Sequence, residues 1–121
     1  VDGWIDWNMV LNRQGGPNWA ENWCVAPVIV DEENDEVYYT PLYYTMAQFS
    51  RFIRPGSTRI GFDSPDDDLM VTAVKNPNDT IAVVIFNPTD ANKDFNVTIE
   101  GASQKIRINK KAIQTLVVSN I

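Results

Sequence analysis

Apolar positions in the second half of the chain fall into strand-length blocks. Leu69–Lys75 and Ile81–Asn87 are rich in Val and Ile, the composition of strands with a packed face. Asn76-Pro77-Asn78-Asp79 between them supplies turn chemistry and predicts a hairpin. From Phe95 to Ile99, Phe, Val and Ile alternate with Asn and Thr, a two-residue period that turns one face inward. Lys105–Ile108 and Ala112–Val118 follow, separated by Asn109-Lys110-Lys111, and a short strand near Arg59–Phe62 comes first. Short strands at this spacing predict a Greek-key-type β-sandwich over residues 58–121. So few strands leave open edges, which isolated proteins usually protect.

The first half has a different pattern. Gly3–Leu11 is strand-like and ends in polar, glycine-rich chain, Asn12-Arg13-Gln14-Gly15-Gly16-Pro17-Asn18. A helix is predicted over Pro41–Arg54. Thr40 suits its N-cap and Pro41 its first position. Leu42, Met46, Phe49 and Ile53 recur at helical spacing and form one apolar stripe. Pro55 stops the helix and Gly56 follows. A long segment separates strand from helix, and loops of that length are usually functional. Part of it predicts a hairpin, Val28–Val30 against Val37–Tyr39, turning at Asp31–Asp35. The turn cluster Pro55-Gly56-Ser57 marks the boundary between the two parts, and the whole chain reads as mostly β.

Composition sharpens that division. Ten of the thirteen aromatic residues precede residue 57, and all four Trp lie within residues 4–23. Residues 1–57 hold three basic and eight acidic side chains, against seven and eight in residues 58–121. The 121 residues amount to one domain's worth of chain. A complete (β/α)₈ barrel needs about 200 residues or more. With 44% hydrophobic and 21% charged residues, the chain fits neither disorder nor a membrane-spanning class. The net charge of −6 argues against nucleic acid as a partner. The chain lacks His, so it cannot supply a Ser–His or Cys–His pair. The single Cys24 excludes a cysteine metal cluster, and no metal or other cofactor is expected. Cys24 reads as a small buried hydrophobe. The chain begins at Val1, without a starting Met or signal peptide, and reads as an excised or processed piece.

The candidate chemistry lies in the tryptophan-rich segment. Trp4-Ile5-Asp6-Trp7-Asn8 sets two indoles beside a carboxylate and an amide. Indoles offer flat apolar faces and one N–H donor each, while carboxylate and amide give fixed acceptors and donors. That mixture suits a pyranose, with its C–H face and ring of hydroxyls. It equally suits a packed core, and composition does not choose between the two. Asn18, Trp19, Asn22 and Trp23 repeat the aromatic–amide theme in the loop, where aromatics also pack ordinary loops. The run Asp31–Glu36 holds five carboxylates in six residues. It lacks the EF-hand pattern and reads as a solvated turn, as does Asp66-Asp67-Asp68. No catalytic pair of carboxylates emerges: Asp2 and Asp6 would stand about 13 Å apart on a strand, against about 5–5.5 Å in retaining glycosidases. Asn78-Asp79-Thr80 and Asn96-Val97-Thr98 fit the N-glycosylation pattern, and Pro88 blocks Asn87-Pro88-Thr89.

Gly3-Trp4-Ile5-Asp6-Trp7-Asn8, Gly15-Gly16-Pro17-Asn18-Trp19, Asn22 and Pro27-Val28-Ile29-Val30-Asp31 together resemble the lysosomal glucosylceramidases of glycoside hydrolase family 30. The likeness runs on through Tyr38–Arg54 and Pro55-Gly56-Ser57, then fades to strand pattern after residue 60. It implies that residues 1–57 are the last strand–loop–helix unit of a (β/α)₈ barrel. Residues 58–121 would be the following β-sandwich, short of strands that the family takes from its N-terminal segment. The family hydrolyses the β-glucosidic bond of glucosylceramide with retention, using glutamates from earlier barrel strands. No catalytic residue is therefore expected here.

The resemblance assigns Trp7 to the glucose subsite, Asn22 to contact with sugar hydroxyls and Asp6 to positioning. Asn18, Trp19 and Trp23 would belong to a loop at the pocket entrance. Trp23, Cys24 and Ala26 depart from the Phe, Val and Ser of many relatives. Implied partners are a glucoside or glycolipid substrate, the remainder of the barrel and a peripheral lipid surface. The implied address is lysosomal or secreted, which would make Asn78 and Asn96 candidates for glycosylation. The competing expectation is a non-catalytic secreted interaction module that covers its helix stripe and open sheet edges by homo-oligomerising.

Overall fold

The computed structural model describes residues 2–119 and is mostly β. The chain divides into two compact units, one ending at Met46 and the other beginning at Ala47. The division falls inside the helix α1 (Pro41–Ser50).

The first unit is built on a sheet of β1 (Val10–Asn12), β2 (Val28–Asp31) and β3 (Glu36–Tyr39), in that order. β1 runs parallel to β2, with Val10 opposite Val28. β2 and β3 form the expected hairpin, with Val28 opposite Tyr39 and Val30 opposite Val37. Leu11, Ala26 and Val28 are buried and give this unit its apolar centre. The strand expected over Gly3–Leu11 is confined to Val10–Asn12. A strand persists only where a ladder partner exists. Among the described residues, β2 supplies partners for Val10, Leu11 and Asn12 alone.

Helix α1 starts at Pro41 and Thr40 holds its N-cap position as expected, the Thr40 carbonyl accepting the Tyr44 N–H at 3.4 Å, but the Thr40 side chain does not bond the first turn. The Thr40 hydroxyl donates to the Pro27 carbonyl at 3.0 Å, and the Thr40 N–H reaches the same oxygen at 2.9 Å. Thr40 therefore pins the end of β3 to the start of β2. The regular helix ends at Ser50 rather than Arg54. Its continuation is a turn in which the amides of Phe52 and Ile53 both reach back to the Phe49 carbonyl. Asn76 is the physical reason. Its Nδ2 donates to the Phe52 carbonyl at 3.0 Å, and its Oδ1 accepts the Arg54 N–H at 3.2 Å. A side chain thus takes backbone groups that a further helical turn would use.

The second unit carries the sandwich strands. β4 (Thr58–Arg59), β5 (Met70–Lys75), β6 (Ile81–Asn87) and β9 (Ala112–Val118) form one antiparallel sheet. β7 (Lys93–Ile99) and β8 (Ala102–Ile108) pair as a separate two-stranded ribbon. The chain leaves β6, makes the ribbon and returns as β9 beside β6. Ala73, Val83 and Ile85 of the larger sheet pack with Ile108 of the ribbon, and Phe95 adds to them. β6 lies between two strands and is buried along most of its length, which its unbroken Ile-Ala-Val-Val-Ile run reflects. β7 alternates half-buried and exposed positions, as its two-residue period predicts. A cleft of about 830 Å³ lies between the ribbon and β5–β6, lined by Val71, Ile81, Val83, Phe95 and Val97. A second, of about 560 Å³, opens between Val97, Ile106 and Leu116.

Polar side chains fasten this unit where turns meet strands. Asn87 is fully buried and satisfied: Nδ2 donates to the carbonyls of Ala91 and Asn109, and Oδ1 accepts both N–H and O–H of Thr89. Thr115 donates its hydroxyl to Gln48 at 2.8 Å. The acidic run at residues 66–68 is not a merely solvated turn. Lys93 Nζ donates to Asp66 at 2.8 and 3.0 Å and to Asp68 at 2.9 Å. That bonding holds the Asp66 carboxyl below its ordinary range and raises the Lys93 ammonium above its own.

Candidate functional site

The tryptophan-rich segment is organised by Asn12, the last residue of β1. Its Oδ1 accepts the N–H of Gly16 at 2.8 Å and of Gln14 at 3.1 Å. Its own N–H donates to the Gly16 carbonyl at 2.7 Å, and its carbonyl accepts the Gly15 N–H at 2.9 Å. An asparagine that bonds the backbone two to four residues ahead turns the chain sharply. Gly15 makes that turn feasible. It sits at φ +87°, and a Cβ there would lie 2.3 Å from the backbone oxygen of Cys24. No side chain fits against that backbone, so glycine lets the returning loop close onto the end of β1. The Gly16–Pro17 peptide is cis.

All four indoles lie exposed. Trp4 is 74% accessible, Trp7 69%, Trp19 97% and Trp23 59%. Among the described residues they fill no core. Asp6 is fixed by its neighbour, its Oδ1 accepting the Trp7 N–H at 2.8 Å. The bond orients the carboxylate against the backbone of the next residue. Trp23 lies against Gly16, its ring within 3.5 Å of where a Cβ would stand. Asn22 and Asn18 are exposed, and Asn22 follows Glu21 at φ 53°, a left-handed turn position. No hydrogen bond among the described residues joins Asn22 to Trp7 or Asp6. The structure therefore pairs Asp6 with Trp7 and Trp23 with Gly16, but supplies no bond that brings Asn22 to either. Cys24 is half-buried, where a small buried hydrophobe is expected.

Two residues outside the expected set shape this unit. Asn12 is one; its signal is an asparagine ending a strand just before Gly-Gly. Asp31 is the other. It ends β2 and is 2% exposed, so the acidic run that it opens is not simply a solvated turn. Its carboxylate accepts the side-chain amide of Asn34 at 2.8 Å and the backbone N–H groups of Glu33 and Asn34. Arg13 Nη1 approaches at 3.3 Å and the Tyr38 hydroxyl at 3.4 Å. The Asn34 amide, opposed by burial, leads in holding Asp31 below the ordinary carboxylate range. Tyr38 also donates to Glu36 at 2.7 Å, and this bond leads in pushing its hydroxyl up to about 12. The cluster closes the β2–β3 turn. Among the described residues, no group of three or more His, Cys, Asp or Glu is disposed to hold a metal ion. No helix among them is long and apolar enough to cross a membrane.

This segment offers four exposed indoles, a carboxylate bonded to the next backbone N–H, and exposed amides. Comparison with known proteins bears on what such a segment serves. Residues 1–53 match the TIM-barrel domain of glycosyl hydrolase family 30, and residues 56–116 match that family's beta sandwich domain. Lysosomal acid glucosylceramidase of Mus musculus is 42% identical over 88 residues, which is 72% of this chain and 17% of that protein. Putative glucosylceramidase 4 of Caenorhabditis elegans is 37% identical over 105 residues, 85% of this chain and 20% of that protein. The crystal structure of SrfJ from Salmonella typhimurium superimposes with a TM-score of 0.90 at 28% identity, covering 97% of this chain and 26% of that one. An endo-beta1,6-glucanase shares the fold, with a TM-score of 0.82 at 23% identity over 90% of this chain and 25% of its own. The chain thus spans about a fifth of the length of these curated relatives.

Proposed function

The chain belongs to glycosyl hydrolase family 30, and from that premise we propose that it is the C-terminal portion of a retaining β-glucosidase acting on glucosylceramide-type substrates. Residues 1–57 contribute the terminal strand–loop–helix unit of its barrel and residues 58–121 its β-sandwich. Trp7 offers its indole face to the glucose ring, Asp6 positions the substrate side of that wall, and Asn22 bonds a sugar hydroxyl. Asn18, Trp19 and Trp23 line the entrance. The two glutamates that carry acid/base and nucleophilic work lie in the rest of the barrel, so this chain alone does not turn over.

One observation carries the reading: the Asp6 carboxylate accepts the backbone N–H of Trp7 at 2.8 Å, which sets an oriented acceptor next to an indole-bearing residue. An apolar ring face beside an oriented acceptor is what a pyranose needs, since its C–H face stacks while its hydroxyls bond. The lysosomal relative supports a lysosomal or secreted address.

The test uses a fluorogenic β-glucoside. The 121-residue chain alone is expected to give no hydrolysis, whereas the full-length enzyme does. In the full-length enzyme, Trp7→Ala is expected to lower kcat/KM about 10- to 100-fold, the loss that accompanies one to three kcal/mol of sugar contact. Hydrolysis by the verified chain alone, or an unchanged kcat/KM in the variant, would overturn the proposal.

A further inference from the structure

Three Asn-x-Thr triplets occur in the second unit, at residues 78–80, 87–89 and 96–98, and the structure gives them unlike surroundings. N-glycosylation joins the asparagine Nδ2 to the anomeric carbon of a sugar carried on a polyprenyl diphosphate. The bond from that carbon to the diphosphate oxygen breaks, the diphosphate leaves with the electron pair, and one amide proton passes to a base. The acceptor must therefore offer an unengaged amide nitrogen on chain that bends away from its neighbours, at the surface.

Asn87 fails on each count. It is fully buried, both of its amide hydrogens are donated, and Pro88 occupies the middle position. Asn96 is exposed but sits in mid-strand, opposite Lys105 in the β7–β8 ladder. The hydroxyl of its Thr98 is engaged across the ribbon with Ser103 Oγ at 3.1 Å. That triplet is held extended in the ladder. Asn78 differs from both. It is exposed at the tip of the β5–β6 turn, and Asp79 beside it adopts φ 62°. Its Oδ1 accepts the Thr80 hydroxyl at 2.8 Å and the Thr80 N–H at 3.3 Å. Its Nδ2 donates to no protein atom among the described residues. The triplet is curled, its hydroxyl rests on the amide oxygen, and its nitrogen is free.

We propose that Asn78 is the N-glycan acceptor of this chain and that Asn96, although it fits the same sequence pattern, is not. This rests on the secretory routing proposed above. The buried side of the turn is left undisturbed, since Asn76, Pro77 and Thr80 make its contacts to the chain.

The experiment supplies that routing artificially. The chain is expressed behind a cleavable signal peptide in glycosylation-competent eukaryotic cells and recovered from medium and endoplasmic reticulum together. Peptide-N-glycosidase in ¹⁸O-water then marks each formerly glycosylated asparagine as labelled aspartate, read by peptide mass spectrometry. Label is expected at residue 78 and absent at 96. Asn78→Gln should abolish the glycan mass shift, and Thr80→Ser should retain it. An unlabelled Asn78 in recovered protein, or label at Asn96 equal to that at Asn78, would overturn the proposal. Fractionation of the source cells tests the natural address separately, so a failure of that reading leaves the acceptor assignment to stand or fall on its own result.

Discussion

A primary amide has two donor hydrogens and one oxygen with two acceptor sites, and Asn87 uses all of them inside the sandwich. Replacing it by Ala takes a partner from the carbonyls of Ala91 and Asn109 and from both donors of Thr89. Each stranded group costs about 1–3 kcal/mol. Partial relaxation leaves an expected destabilisation of about 3 kcal/mol for Asn87→Ala, measured as a fall in the urea midpoint at unchanged m-value. A fall below about 0.5 kcal/mol would show that water replaces the side chain. Asn76 and Asp31 belong to the same class of polar residue. Their roles were not legible from composition, because the partners of Asn76 lie up to 24 residues away. Asp31 hides in an acidic run whose other members are exposed. The exposure of the tryptophans was illegible for a related reason, since the same indoles suit a core and a binding wall equally.

At the scale of elements, the β2–β3 hairpin should respond to pH on two limbs. Asp31 is held below its ordinary value of 3.8, so the folded hairpin favours its charged form. Its stabilising contribution is fully present above about pH 4 and is lost as pH falls through the lowered folded value. Tyr38 moves the other way, from 10.0 up to about 12, so its contribution is present below pH 10 and lost as pH rises between those values. Thermal unfolding followed by near-UV circular dichroism should show both limbs. Asp31→Asn should flatten the acid limb and Tyr38→Phe the alkaline one. Elements themselves were largely legible. The β2–β3 hairpin, the β5–β6 hairpin, β7 and β9 follow from runs of Val, Ile and Phe and from the turn residues between them. Misjudged boundaries share one physical origin. Among the described residues, residues 4–8 have no ladder partner, and the last helical turn loses its backbone groups to a side chain 22 to 24 residues away. Pattern reports what a segment prefers, whereas a boundary depends on which partner claims its hydrogen bonds.

At the scale of the whole molecule, family membership and the mostly β class were legible in the first 57 residues and in the strand periods that follow. The ribbon β7–β8 has no third strand among the described residues, and apolar clefts of about 830 and 560 Å³ open beside it. Unpaired edges beside apolar surface invite association. The chain by itself is therefore expected to self-associate, with a sedimentation coefficient that rises through the micromolar range. A concentration-independent monomer would contradict this. Within the full-length protein that tendency should disappear.

The junction at Asn76 also has a kinetic meaning. One amide side chain bonds the segment after α1 at Phe52, Arg54 and Ser57, and its own turn at Thr80. Neither stretch can open without breaking the bonds that hold the other, so the two should exchange their amide hydrogens as one cooperative unit. The protons of Arg54 and Asn76 are expected to exchange at matched rates. Asn76→Ala should release Arg54 first, splitting one opening event into two and turning a shared clock into separate ones.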